Sequence, residues 1–137
     1  MSYEEFIGIP FVFKGRDKRG VDCLGLVWAY LRSRGIRIPD TDGIPMQYDK
    51  QPDYLQRAMG ALSSFCDRVM SPEPNDIIVM RLPGGYTHLG VMVDQDNMLH
   101  VLKDRPSGLE PVLKYRRRVV AAFRPRAIGR SGSCLLP

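Results

Sequence analysis

From Leu24 to Leu31 only Gly25 interrupts a run of apolar residues, and the run covers every face of a helix predicted over Cys23 to Arg34. A helix that is apolar all round is a buried one. Asp22 stands where an N-cap belongs, with a carboxylate that can accept from the first free N–H groups. Gly35 is a good residue just past the end. Ile36 to Pro52 holds four prolines or glycines and reads as a long surface connection, a candidate lid by its length. A second helix is predicted over about Asp53 to Phe65, with Asp53 and Gln56 at capping-box spacing and Leu55, Met59 and Leu62 as its apolar stripe. Pro72-Glu73-Pro74-Asn75-Asp76 is a turn, after which the period changes from helical to extended. Ile77 to Leu82, His88 to Val93, Met98 to Leu102 and Val119 to Phe123 read as strands, most of them rich in β-branched or large apolar residues. Asp94-Gln95-Asp96-Asn97 joins the second and third as a hairpin. Helices first and an antiparallel sheet afterwards make an α+β arrangement.

Length and composition narrow this further. The chain has 137 residues, room for one domain, here expected over residues 1–128 with a loose tail over 129–137. A hydrophobic fraction of 44% and a charged fraction of 26% are globular values, which excludes disorder and fibres. No apolar run approaches the ~18 residues that span a bilayer. Met1-Ser2-Tyr3-Glu4-Glu5 is acidic where a secretion signal needs a basic region, so the product is expected to be made in the cytoplasm. The net charge of +5 favours acidic partners. Cys23, Cys66 and Cys134 form no CxxC pair, so three free thiols are expected rather than a disulfide framework or zinc knuckle.

Chemistry concentrates in few residues. Cys23 falls at the first turn of the buried helix, where free N–H groups and the helix dipole favour a thiolate and can also bind an oxyanion. The only two histidines, His88 and His100, both lie in the strand region. His88 can act as base and acid toward Cys23, with His100 orienting its ring. Hairpin arithmetic tests that pairing. A three-residue loop, Asp94 to Asp96, puts both histidines on one sheet face as diagonal neighbours, whereas a four-residue loop puts them on opposite faces. Each residue also has a plainer reading: a small buried cysteine, and histidines hydrogen-bonded within strands. Zinc on Cys23, His88 and His100 has no short ligand spacing behind it, and no cofactor is called for. Cys66 continues the apolar stripe of the second helix into the core, and Cys134 is incidental in the tail. Lys14, Arg16, Lys18 and Arg19 precede the nucleophile and could line its cleft, although a charge run is more often a solvated face. Lys114 with Arg116, Arg117 and Arg118 is a solvated charge run. Nucleic-acid binding lacks a recognition helix or an aromatic-stacking pattern.

Several segments together resemble the NlpC/P60 cysteine peptidases. Gly8-Ile9-Pro10-Phe11, Gly15-Arg16 and Val21-Asp22-Cys23-Leu24-Gly25-Leu26-Val27 look like that family's leading segment and nucleophile helix. Pro74-Asn75-Asp76-Ile77-Ile78 resembles its P-G-D strand start, Thr87-His88-Leu89-Gly90-Val91 its H-x-G strand, and Leu99-His100 its third polar position. The resemblance implies a papain-like α+β fold with the nucleophile helix packed on an antiparallel sheet. It implies a thiol-dependent amidohydrolase that cleaves peptidoglycan stem peptides, often next to D-γ-glutamyl. Cys23, His88 and His100 would be catalytic, with Phe11, Arg16 and Asp22 as substrate-binding candidates. The match is closest in tone to phage tail assembly proteins, which would make tail-tip or hub proteins the partners and a virion tail the destination. Phe11 stands where tyrosine is frequent, Leu24 where serine is common, and Lys14 in place of the first of a glycine pair. The competing reading is a structural tail-tip component or plug that uses the same fold with a shielded or inactive site.

Overall fold

The computed structural model describes residues 3–39 and 54–126. Asp53, most of the 36–52 connection and the 129–137 tail with Cys134 lie outside the described residues. The apolar run becomes helix α1 over Cys23–Ser33, preceded by a minimal hairpin of β1 (Arg16–Asp17) and β2 (Gly20–Val21). Asp22 caps its start, and Gly35, at a φ of +82°, ends it. There the Ile36 N–H reaches Leu31 O and the Gly35 N–H reaches Arg32 O, the paired bonds of a Schellman stop. Helix α2 runs over Tyr54–Phe65.

Six strands follow: β3 (Cys66–Val69), β4 (Ile77–Leu82), β5 (Tyr86–Met92), β6 (Asn97–Leu102), β7 (Arg105–Pro111) and β8 (Val119–Pro125). They form one sheet in the order β3-β8-β4-β5-β6-β7, with every neighbouring pair antiparallel. The four strands expected from sequence are β4, β5, β6 and β8. β3 and β7 were not expected. β7 carries Pro106, Gly108 and Pro111, a composition that argues against a strand, yet it lies at the sheet edge, where proline is tolerated.

Both sheet faces are covered. Val79, Leu89, Val91, Leu99, Val101 and Phe123 pack with Leu26, Val27, Tyr30 and Leu31 of α1. Ile78, Met80, Met92, Met98 and Ala122 point the other way into a second cluster, closed by Val112 and Tyr115 of a 3-10 turn over Val112–Tyr115. Burial on both faces is why Ile77-Ile78-Val79-Met80 is apolar without alternation. Cys66, the first residue of β3, is buried as expected.

Two polar anchors hold the frame. Asp76, just before β4, takes a two-pronged ion pair from Arg124 on β8, with Nε to Oδ1 at 3.0 Å and Nη2 to Oδ2 at 2.9 Å. Ser107 of β7 ties down the N-terminal segment: its Oγ donates to Phe6 O at 2.6 Å and accepts from Ile9 N at 2.8 Å. Backbone bonds from Gly8 N to Ser107 O and from Ser107 N to Ile9 O complete the seam, which covers the outer edge of the sheet. No described helix is long and apolar enough to cross a membrane.

Candidate active site

Cys23 is the first residue of α1, and its surroundings are set by Asp22. The Asp22 side chain accepts from Gly25 N at 2.7 Å, from Lys14 N at 3.0 Å and from Arg16 Nη1 at 2.9 Å. Arg16 Nη1 also donates to Gly15 O at 2.9 Å. This packing of the 14–16 loop onto the first helical turn requires glycine at position 25, because a Cβ there would lie 2.0 Å from Gly15 O.

The Cys23 thiol is buried, and this overturns one expectation. Burial, reinforced by the Asp22 charge, pushes it up to about 12, against the pull of the Leu89 and Leu24 N–H groups and of Arg16. The helix start does favour the anion, but desolvation outweighs it and the resting group is a thiol. The Leu89 contact shows where Cys23 meets the sheet. Val93 N donates to Asn97 O at 3.0 Å, so by strand alternation Leu89 N–H also points to the β6 side. The β5–β6 ladder pairs Met92 with Met98 and Val91 with Leu99 and does not continue to Leu89, whose N–H works to lower the Cys23 thiol. The nucleophile candidate therefore touches β5 at the residue next to His88.

That same register places Val93 opposite Asn97 and leaves a three-residue turn, the odd loop that the histidine pair requires. Asp94 closes the turn by accepting from Asp96 N and Asn97 N, each at 2.8 Å. His88 and His100, both buried, lie with His88 Nε2 2.8 Å from His100 Nδ1. His100 Nε2 in turn lies 2.7 Å from Glu110 Oε1. Tyr115 Oη donates to that oxygen at 2.6 Å, Lys114 Nζ donates to Oε2, and Arg105 Nη2 stands 3.6 Å from Oε1.

Burial, with the neighbouring His100, lowers His88 to about 3. Burial also lowers His100, against its bond to Glu110. Burial works to raise Glu110, yet the bonds from Lys114, Tyr115 and His100 together bring it to about 2. At neutral pH the row is two neutral imidazoles and a carboxylate, and Cys23 at the start of α1 is a thiol. Among the described residues no three or more His, Cys, Asp or Glu side chains are grouped as a metal ion would need.

Glu110 is the residue that sequence reasoning missed. It sits on β7, opposite Met98, and β7 was hidden by its prolines. The available signal was the short Lys103-Asp104 link after β6, which makes a hairpin and brings the following acidic residue back beside His100.

The structure brings Asp22 and Arg16 together at the start of α1, paired to each other. Phe11 bridges to Val21, one residue before Asp22, and packs half-buried against the main core. The basic cluster does not act as one cleft lining. Arg16 is committed to Asp22, Lys18 pairs with Glu5, and Arg19 pairs with Asp17 at 3.3 Å. Leu24 packs against the core. Lys114 and Arg116 to Arg118 are exposed as a solvated charge run would be, and Lys114 also pairs with Glu110.

Several solved structures share this fold. An NlpC/P60 family protein from Bacillus cereus ATCC 10987 superposes with a TM-score of 0.63 at 22% identity, covering 88% of this chain but 36% of that one. The NlpC/p60 domain of the peptidoglycan hydrolase SagA gives 0.56 at 19% identity, covering 87% of this chain and 89% of that one. The P60 domain of an antigen from M. avium subspecies paratuberculosis gives 0.60 at 16% identity, covering 89% and 87%. The chain thus spans about a third of the Bacillus cereus protein and most of the two isolated domains. No curated protein sequence matches this one. The NlpC/P60 family profile matches residues 8–116, from the N-terminal segment through the nucleophile helix and both histidine strands to the Glu110 cluster, and the chain belongs to the NlpC/P60 family.

Proposed function

We propose that the protein is a cysteine amidohydrolase that cleaves peptidoglycan stem peptides, with Cys23 as nucleophile, His88 as base and acid, and His100 as the group that orients His88. The observation carrying this reading is the hydrogen-bonded row His88–His100–Glu110, whose first member precedes Leu89, the β5 residue whose N–H acts on Cys23. His88 Nε2 is engaged by His100, which leaves Nδ1 for the thiol. His88 Nδ1 removes the proton as the sulfur attacks the scissile carbonyl. The tetrahedral oxyanion is met by N–H groups at the start of α1. Collapse breaks the C–N bond, and the His88 imidazolium gives its proton to the departing amine. Water, deprotonated by His88, then splits the thioester, yielding a carboxylic acid and the free thiol.

The substrate class rests on family membership and on the fold shared with SagA, a peptidoglycan hydrolase. Cleavage next to D-γ-glutamyl follows the same resemblance. Phe11, Arg16 and Asp22 are the proposed substrate-side residues, with Asp22 shaping the helix start through its internal bonds. The phage-tail placement rests on the sequence resemblance, and the chemistry does not depend on it. Release of new amino groups from purified peptidoglycan, compared with a Cys23→Ala variant, tests the proposal. Release that vanishes in the variant supports it, and mass spectrometry of the products names the bond. Release that persists in the variant, or is absent from both proteins, contradicts it and turns attention to a scaffold role.

A further inference from the structure

The unassigned group at the end of the histidine row is Glu110, and the chemistry of its contacts leaves few choices. An ionised carboxylate only accepts hydrogen bonds. Its Oε1 lies 2.7 Å from His100 Nε2, so that nitrogen carries the proton. A neutral imidazole has one N–H, which makes His100 Nδ1 an acceptor. His100 Nδ1 lies 2.8 Å from His88 Nε2, so His88 Nε2 is the donor and His88 Nδ1 is left with a lone pair. We infer that Glu110 is a positioning residue that fixes the tautomers of both histidines and so holds His88 Nδ1 as the proton acceptor for Cys23.

The inference rests on the reading of Cys23 as nucleophile and goes one step beyond it. Without an acceptor at Glu110, His100 is free to carry its proton on Nδ1 and donate it to His88 Nε2. His88 must then carry its own proton on Nδ1, and a ring in that form cannot take one from a thiol there. The surroundings keep Glu110 in the required state. Lys114 and Tyr115 from the 3-10 turn donate to it, Arg105 from its own strand adds positive charge, and His100 approaches from β6. Tyr115 shares Oε1 with His100, which orients the carboxylate as well as charging it. The same arrangement stabilises the imidazolium that His88 becomes after taking the thiol proton, with the carboxylate two hydrogen bonds away.

Nitrogen-15 NMR of the two imidazoles in the full chain, at neutral pH, reads the tautomers directly. The expected result is Nε2-protonated, Nδ1-free rings for both His88 and His100. In Glu110→Leu the expected result is a His88 ring protonated on Nδ1 or mixed between forms. In Glu110→Gln, whose amide oxygen still accepts from His100 Nε2, the original tautomers should return. Amidase kinetics run beside it: Glu110→Leu should lose roughly 10²-fold or more in kcat, the low end of what general-base catalysis supplies, with KM little changed. Glu110→Gln should recover much of that loss.

A wild-type His88 protonated on Nδ1 overturns the inference whatever the variants do, including a leucine variant that fails to fold. So do tautomers that stay put in a folded Glu110→Leu. Tautomers that follow Glu110 in a protein without Cys23-dependent amidase activity support the positioning role while rejecting the catalytic reading, so the two can fail separately.

Discussion

His88 Nε2 and His100 Nδ1 share a 2.8 Å hydrogen bond just beyond the point where the β5–β6 ladder has ended. Both rings are buried, which disfavours their charged forms, and His88 is lowered to about 3. In the unfolded chain an imidazole binds its proton near pH 6.5. Between about pH 6.5 and 3 the unfolded state therefore holds a proton that the folded state refuses, and stability falls as pH falls. Each such histidine contributes a slope of up to about 1.4 kcal/mol per pH unit. Denaturant unfolding of wild type and His88→Gln from pH 7 to 4 checks this. The variant should show the shallower slope, and equal slopes would contradict the burial argument.

A thiol held at about 12 by burial and by Asp22 is not ionised at rest. Alkylation of Cys23 by iodoacetamide should accelerate steadily with pH through about pH 10. A rate already on a plateau near neutrality would show a preformed thiolate. Asp22→Asn removes the nearby negative charge and should move the alkylation profile to lower pH. That variant also weakens the helix cap, so its fold is checked by circular dichroism alongside.

Lys14 adopts a φ of +63°, a conformation that favours glycine, while its N–H is held by Asp22. A non-glycine residue there costs about 1–2 kcal/mol, partly offset by the greater freedom glycine has when unfolded. Lys14→Gly should raise stability by about 0.5–1 kcal/mol, read as an upward shift in thermal midpoint. A lower midpoint would mean that the lysine side chain contributes more than the strain removes.

Ser107 satisfies two buried backbone groups at once, Phe6 O and Ile9 N. Ser107→Ala strands both and should cost roughly 1–3 kcal/mol. Hydrogen exchange should then rise over the N-terminal segment while α1 stays protected. Uniform loss of protection would place Ser107 in the global core instead of at a docking seam.

How legible the site was depends on which residues are considered. Asp22, Cys23 and Gly35 mark α1 by capping chemistry that acts within a few residues, so its bounds could be read directly. The His88–His100 pairing was reduced in sequence to one open question, loop parity, because a side-chain period of two turns loop length into face. Glu110 could not be reached this way. Its strand contains Pro106 and Pro111 and lies at an edge, where pairing comes from the neighbouring strand rather than from local propensity. The raised Cys23 thiol was equally hidden, since the helix start is a local feature and desolvation is a property of the whole packed core. Phe11 and Arg16 were named from the family resemblance, but the pairing of Arg16 with Asp22 became visible only when the 14–16 loop was seen folded onto Gly25.

The central claim is that Cys23 forms a thioester that His88 helps to make and break. Acid quenching during turnover of soluble stem-peptide fragments, followed by intact mass and peptide mapping, tests it most directly. The account predicts a single acyl adduct on the peptide that carries Cys23, absent from Cys23→Ala, strongly diminished in His88→Gln and unaffected by Cys66→Ala. An adduct on Cys66, or stem-peptide cleavage that persists undiminished in Cys23→Ala, would contradict it.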